Sequence, residues 1–381
     1  MVYPSPCSRR DVLRSTIGLA ACTATLGWAQ PGKLSGSARA LVVAQIVDTT
    51  PGQLDVSRDF LIGSRAAWQD INAKGGINGR PVHHQPLEVD GSTASLHAAL
   101  DSIKKIPNCV ALSGTAGDRV ASQLVALLRQ DQYEMAHVAP WLQNSALDGD
   151  NYTFPIFASR QEQISHALNS LSNMGVKELG AVYASEQEHV QYRADVERAS
   201  VALKIKLKSY TSTGNLAMIA KSLTPDTPRI LLFIGGTPEL VQFAQGIDKQ
   251  AQQRFLVAMA DVNLQTMIQM GSTRHIPVMA TQVVPMINST LPVVKVYRET
   301  LARLFDEPAT PQSLAGYIAA RYTRDVLNTV EGAPTRQNTL QAFQQRHTVD
   351  VSGFRVNFNA QKRSGAYVTQ SMISADGRLV G

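Results

Sequence analysis

The stretch Ile71-Asn72-Ala73-Lys74-Gly75-Gly76-Ile77-Asn78-Gly79-Arg80, INAKGGINGR, places three glycines within five residues. Upstream of it, Phe60, Ser64, Ala67 and Ile71 recur at helical spacing from about Ser57, and downstream Arg80-Pro81 opens a strand. Asn72-Ala73-Lys74 therefore ends a helix, and Gly75 or Gly76 takes the left-handed position that closes it. Asn78-Gly79 is a tight-turn pair that tolerates positive φ. A helix reversed this sharply into a strand is one step of a β-α alternation, and it lies at the amino end of the strand it feeds.

The alternation extends in both directions. Leu41 to Val47 is a continuous apolar run, as a strand buried on both sheet faces requires. A helix near Thr93 carries Leu96, Ala99, Leu100 and Ile103 inward, Cys109 to Ser113 is a strand, Asp118 to Gln130 a helix, and Met135 to Ala139 a strand. A second series begins after Tyr152. It runs through strand Leu179–Ala184, a helix near His189–Leu203, strands Ile205–Tyr210 and Ile230–Gly235, helix Pro238–Gln250, and strand Phe255–Ala260. After Val278–Val284 follow helices near Pro292–Phe305 and Gln312–Val330, then a β-rich tail with Phe354–Phe358 and Ala366–Thr369. Such repeats make parallel sheets with right-handed crossovers, and two series imply two lobes. No low-complexity linker divides them, which favours chain segments that cross between lobes.

With 381 residues, 44% hydrophobic and 17% charged, the chain is long enough for a full core in one large or two ordinary domains. The formal charge of +6 is spread over scattered basic residues without an aromatic-interleaved block, so nucleic acid is not expected as a partner. Residues 1–29 have the layout of an export signal. Ser8-Arg9-Arg10-Asp11-Val12-Leu13-Arg14 looks like a twin-arginine motif, an apolar run from Ser15 to Trp28 follows, and Ala29-Gln30 is a small-residue cleavage point. Residues 30–40 read as a linker. Leu19-Ala20-Ala21-Cys22 is a competing lipoprotein-type box, so the membrane enters only through the signal or a lipid on Cys22. Cleavage at Ala29 would leave Cys109, a small buried strand residue, as the sole cysteine.

Ligands of open parallel sheets bind beyond the carboxyl ends of the strands. Gly114-Thr115-Ala116-Gly117-Asp118 follows such an end and enters a helix, so its amides, the Thr115 hydroxyl and the helix dipole suit a carboxylate. Asp118 is the expected N-cap. Ala139-Pro140-Trp141 follows another end, where Trp141 can wall a ligand or pack in the core. Gly235-Gly236-Thr237-Pro238 opens a further helix, with Thr237 as expected cap and a close backbone approach to ligand open at Gly236. Dinucleotide, phosphate-loop, nucleophile-elbow and paired-cysteine motifs are missing, and His83-His84 in a strand point to opposite faces. Neither an enzyme, a cofactor nor a metal site is expected.

From Phe60 to Arg80, then through Val89-Asp90-Gly91, Gly114-Thr115, Ala139-Pro140, Tyr152-Thr153-Phe154, Val182-Tyr183, Gly235-Gly236 and Gly365-Ala366-Tyr367-Val368, the chain resembles the Leu/Ile/Val-binding protein family. These are type I periplasmic solute-binding proteins of ABC transporters. The resemblance implies an α/β fold of two doubly wound, Rossmann-like lobes joined by three hinge crossings, with 41–155 and 286–345 in lobe 1 and 156–285 and 346–381 in lobe 2. It implies capture of a small carboxylate-bearing solute, such as a branched-chain or other amino acid, by hinge closure, and delivery to an ABC transporter permease. A ligand sensor on the same fold, signalling to a receptor or kinase, is the alternative. Gly114, Thr115, Ala116, Ala139, Pro140 and Trp141 would bind from lobe 1. His189, Tyr192, Gly236 and Asp261 would bind from lobe 2, Asp261 in the place of the ammonium-binding acid. The loop Ala184 to Tyr192 departs from the family pattern, and Arg160 stands where relatives vary.

Overall fold

The computed structural model describes residues 40–380 except 149, 213, 249, 272–275, 366 and 375–377. The export signal at 1–29, with Cys22, lies outside the described residues, as does the linker up to residue 39. Among the described residues no helix is long and apolar enough to cross a membrane.

The first lobe opens with β1 (Leu41–Asp48), α1 (Leu54–Ala73), β2 (Val82–Val89), α2 (Thr93–Lys104), β3 (Cys109–Ser113), α3 (Asp118–Gln130), β4 (Ala136–Val138) and β5 (Thr153–Phe154). These strands form one all-parallel sheet in the order β2-β1-β3-β4-β5. β1 lies between β2 and β3 and is buried along its whole length, which is why it reads as an unbroken apolar run. The second lobe takes α4 (Arg160–Asn173), β6 (Glu178–Tyr183), α5 (Glu186–Ala202), β7 (Lys206–Thr211), α6 (Leu216–Ser222), β8 (Ile230–Ile234), α7 (Thr237–Ile247), β9 (Phe255–Ala258), α8 (Leu264–Gln269) and β10 (Val278–Gln282). The chain then returns as α9 (Pro292–Leu304), α10 (Pro311–Leu327), α11 (Arg336–Gln344) and the hairpin β11 (Val349–Val351) and β12 (Phe354–Val356). It ends in β13 (Thr369–Ile373) and β14 (Leu379–Val380), which extend the second sheet, β13 antiparallel to β10 and β14 antiparallel to β13. That sheet runs β14-β13-β10-β9-β8-β6-β7.

Several sequence expectations shift. The tail strand lies at Thr369–Ile373 rather than Ala366–Thr369, because pairing with β10 selects the register. The helices α6 and α8 are only 7 and 6 residues long, too short to set up a legible period. On α4 the inward face carries Arg160 and Gln163, and these buried polar side chains mask its amphipathic pattern. The hairpin Val349–Val356 buries Val351, Phe354 and Val356 in the first core. Its side chains therefore group with the first sheet, not with the second as the 346–381 assignment had it.

The glycine-rich reversal behaves as its sequence implies. Gly75 and Gly76 both have positive φ, 97° and 73°, and the Gly76 amide donates to Ile71 O at 2.9 Å. Asn78 and Gly79 follow at φ 48° and 78°, a two-residue turn closed by reciprocal 2.9 Å bonds between Ile77 and Arg80. Asn72 adds a clamp: its amide donates to Val82 O and accepts from Val82 N, each at 2.8 Å, tying the helix end to the start of β2.

The returning helices are held to the first lobe by backbone contact. A Cβ placed on Gly63 of α1 would lie 1.7 Å from Ser313 O, and one on Gly316 of α10 1.9 Å from Phe60 O. Neither backbone can yield without separating the helices. We expect Gly316→Ala to destabilise the protein by about 3 kcal/mol or more, the upper range of overpacking costs. Urea denaturation measures this; an unchanged midpoint would mean that the two helices do not meet backbone to backbone.

Candidate functional site

A cavity of about 640 Å³ lies between the lobes. Its walls come from the carboxyl ends of the parallel strands, as the topology of open α/β sheets requires. The first lobe contributes Gln53 after β1, Asp118 and Gln123 on α3, and Asn144 after β4. Arg160 enters at the first residue of α4, directly after the first crossing. The second lobe contributes Glu188 on α5, Gly236 and Glu239 at the start of α7, and Asp261 after β9. The lobes touch at its rim: a Cβ on Gly236 would lie 2.8 Å from Gly52 O, and Asn263 Nδ2 donates to Asp59 Oδ2 at 2.8 Å.

Arg160 organises the cavity. Ser159 caps α4 through a capping box with Glu162, so the residue that follows is fixed in direction. A cation in a first helical turn opposes the helix dipole, and this one is also 2% exposed. Carboxylates offset both costs. Arg160 Nη2 is ion-paired with Asp261 Oδ2, and Asp261 Oδ1 accepts the Trp141 indole N–H at 2.7 Å. The Tyr192 ring faces the guanidinium at 5.0 Å. Nε and Nη1 of Arg160 are buried and have no acceptor among the described residues. Burial pushes the Asp118 and Glu188 carboxyls above the ordinary carboxylate value, with Arg160 acting against that rise.

A second buried arginine supplies the contrast. Arg363, in the last passage between lobes, holds Asp148 through Nε at 2.7 Å and Nη2 at 2.6 Å, and its Nη1 donates to Leu142 O and Phe157 O. Every nitrogen is engaged within the protein, so Arg363 fastens the crossings. Arg160 is left with donors to spare.

The structure brings some of the anticipated residues to this cavity and leaves others behind it. Gly236 and Asp261 line it, and Trp141 and Tyr192 reach it through Asp261 and Arg160. Trp141 is 1% exposed and packs on Phe60 and Phe157, so it is a core residue with one polar edge toward the site. Gly114, Thr115 and Ala116 lie deeper. Beyond β3 the segment stays in the sheet: Gly114 N donates to Val138 O of β4, while Ala116 N donates to Ile46 O and Asp48 N to Ala116 O, a parallel bridge to β1. The Thr115 hydroxyl sits 2.9 Å from His137 Nε2. Ala139, at φ 48°, and Pro140 are buried beside it. His189 stands edge-on to Tyr183 at 5.0 Å and 3.4 Å from Glu186; it is not among the residues lining the cavity.

Two helix caps differ from expectation. Gly117, at φ 105°, caps α3, and Asp118 is its first residue, its Oδ1 taking the Gln143 amide at 2.6 Å. Gly236 caps α7, while Thr237 Oγ1 accepts from Asn263 N at 2.9 Å. In both places the cap is a glycine without a side chain, and the polar side chain that follows it makes a longer-range bond. Asp118, Glu188 and Glu239 carried no ligand signal in the sequence; their position in first helical turns after strands was the available clue.

Comparison with known proteins agrees with this architecture. The family model described as periplasmic binding protein matches residues 42–375. A substrate-binding periplasmic protein from Ralstonia solanacearum superposes with a TM-score of 0.80 at 19% identity, covering 89% of this chain and 99% of that one. An extracellular ligand-binding receptor from Verminephrobacter eiseniae gives 0.81 at 20% identity, with 90% and 100% covered. A branched-chain amino acid transporter substrate binding protein from Streptococcus pneumoniae, in complex with isoleucine, gives 0.75 at 13%, with 90% and 98% covered. At such identities the likeness is one of fold. No curated protein sequence matches the chain significantly.

His137, directly behind the site, yields a test of the packing there. Burial pushes its pKa down to about 4, from an ordinary 6.5. The unfolded chain thus binds a proton that the folded state refuses between pH 6.5 and about 4, and stability falls as pH drops through that window. Asp118 and Glu188, with raised pKa values, act in the opposite sense over its lower part. Comparing variants isolates the histidine: His137→Gln should lose less stability than the native chain between pH 7 and pH 4, by on the order of 2–3 kcal/mol. Equal losses in parallel urea titrations would show that His137 is not held neutral.

Proposed function

The chain belongs to the periplasmic binding protein family, and from that premise we propose that it captures a small polar solute bearing a carboxylate and delivers it to an ABC transporter. The family is one of solute-binding proteins, and it implies a periplasmic location. The observation that carries the choice of solute is Arg160: a buried guanidinium facing an interlobe cavity with two donor nitrogens unengaged. Leaving such donors without an acceptor is costly, and a carboxylate is the acceptor whose charge and geometry suit a guanidinium best.

In this reading Arg160, Asp118, Glu188, Gly236 and Asp261 contact the solute. Trp141 and Tyr192 hold Asp261 and Arg160 in place, and Gly114, Thr115, Ala116, Ala139 and Pro140 support them from behind. Closure is a hinge motion about the three crossings, and the solute favours the closed state by bridging groups that the two lobes bring together. Among the described residues the lining contains no aliphatic or aromatic side chain. A branched-chain amino acid would bury its side chain there without apolar contact, so the proposed solute is more hydrophilic than leucine, isoleucine or valine.

Thermal-shift screening of amino acids, hydroxy acids and amides tests the reading, because a ligand of the folded state raises the melting temperature. Arg160→Lys retains the charge but loses the planar fork, and should weaken the best carboxylate ligand at least tenfold while melting cooperatively. Undiminished affinity in that variant, or a tight ligand without any carboxylate, would refute the assignment.

A further inference from the structure

We infer that the solute is a net cation: a carboxylate-bearing molecule with a second, cationic group, such as a diamino or guanidino acid, whose cationic end is held by Glu188 and Glu239. This rests on the proposed role of Arg160 and extends it to the opposite wall of the cavity.

The polar atoms left unengaged in the cavity are unequal in kind. Besides the two nitrogens of Arg160, the buried oxygens Glu188 Oε2, Glu239 Oε2, Gln53 Oε1 and Gln123 Oε1 have no donor among the described residues. All four are acceptors, and only a solute rich in N–H or O–H groups can satisfy them. The charges lean the same way. Asp118, Glu188, Glu239 and Asp261 line the cavity against Arg119 and Arg160. Arg119 is solvent-exposed, so its charge is screened, and Arg160 is already engaged with Asp261. Among the described residues Asp118, Glu188 and Glu239 form no direct ion pair, and Arg160 acts on Asp118 and Glu188 only from a longer range.

An acidic residue in a first helical turn has a structural rationale of its own, since it complements the dipole. That accounts for Glu188 on α5 and Glu239 on α7 being acidic. It does not account for a buried oxygen on each remaining unpaired. Gly236 beside them is required by Gly52 O, 2.8 Å from where a Cβ would stand, and the same missing side chain leaves Glu239 Oε2 uncrowded. Besides burial, the nearby Asp118 and Glu239 charges push the Glu188 carboxyl up, a repulsion that a cation between them would reverse. Arg160 and the Glu188–Glu239 pair thus present opposite charge to the same enclosed space, which suits a molecule charged at both ends with the excess on the cationic side.

Isothermal titration of the full chain with L-arginine, L-lysine, L-leucine, L-glutamate and cadaverine separates the possibilities. Arginine or lysine should bind at least tenfold tighter than leucine and glutamate. Glu188→Gln and Glu239→Gln, which preserve size, should each weaken that ligand at least tenfold while leaving the melting transition cooperative. If leucine or glutamate binds more tightly than both cations, the net-cation inference falls and the carboxylate reading stands. If cadaverine binds as tightly as lysine, the carboxylate is dispensable and the role of Arg160 falls with it. Failure of all five to bind overturns both.

Discussion

The site depends on one buried ion pair. Arg160 opens the helix that follows the first crossing, Asp261 follows a strand of the second sheet, and the Trp141 indole, from the first lobe, closes the set on Asp261. Segments that follow strands of the two different sheets are thereby brought to one point. Removing two charges from water is expensive, and a hydrophobic substitute of equal volume would often be as stable. The pair is best understood as a device for specificity and position. It presents a guanidinium, already oriented, to the space that a solute must fill.

Two arginines with nearly the same burial illustrate how the same residue type divides between structure and recognition. Arg363 spends all its donors on Asp148 and on two carbonyls, and so fastens the last passage of the chain to the loops around the first. Arg160 spends only part of its capacity inside the protein. Burial alone does not separate the two cases; the count of satisfied donors does.

Much of the fold was legible because its signals are local. The apolar run of β1 and the reversal at Asn72–Arg80 are decided by residues within reach of one another along the chain, and glycine at 76 and 79 admits the positive φ that the reversal needs. The site was legible only in outline. Strand-end logic led to the edge of the sheet where the cavity lies, yet it could not show that Gly114 and Ala116 stay in the sheet, their amides taken by Val138 O and Ile46 O. Arg160 was visible as a departure from family pattern. Its function was not, because its partner Asp261 lies far along the chain and the consequence of their meeting, two unengaged nitrogens, exists only in three dimensions. The one-residue displacement of both helix caps has the same origin: Asp118 and Thr237 have distant partners that outbid the local amides.

The contact of Gly63 with Ser313 and of Gly316 with Phe60 bears on how the molecule moves. Where two helices meet through side chains, small rotations can be absorbed by rotamer changes. Where they meet through main-chain atoms, there is nothing soft between them. The helix α10 is therefore locked against α1, and the two can move only together. In the proposed closure, strain created when a solute draws Arg160 and the facing glutamates together would then be relieved at the crossings, turning a displacement of a few atoms in the cavity into rotation of a whole lobe.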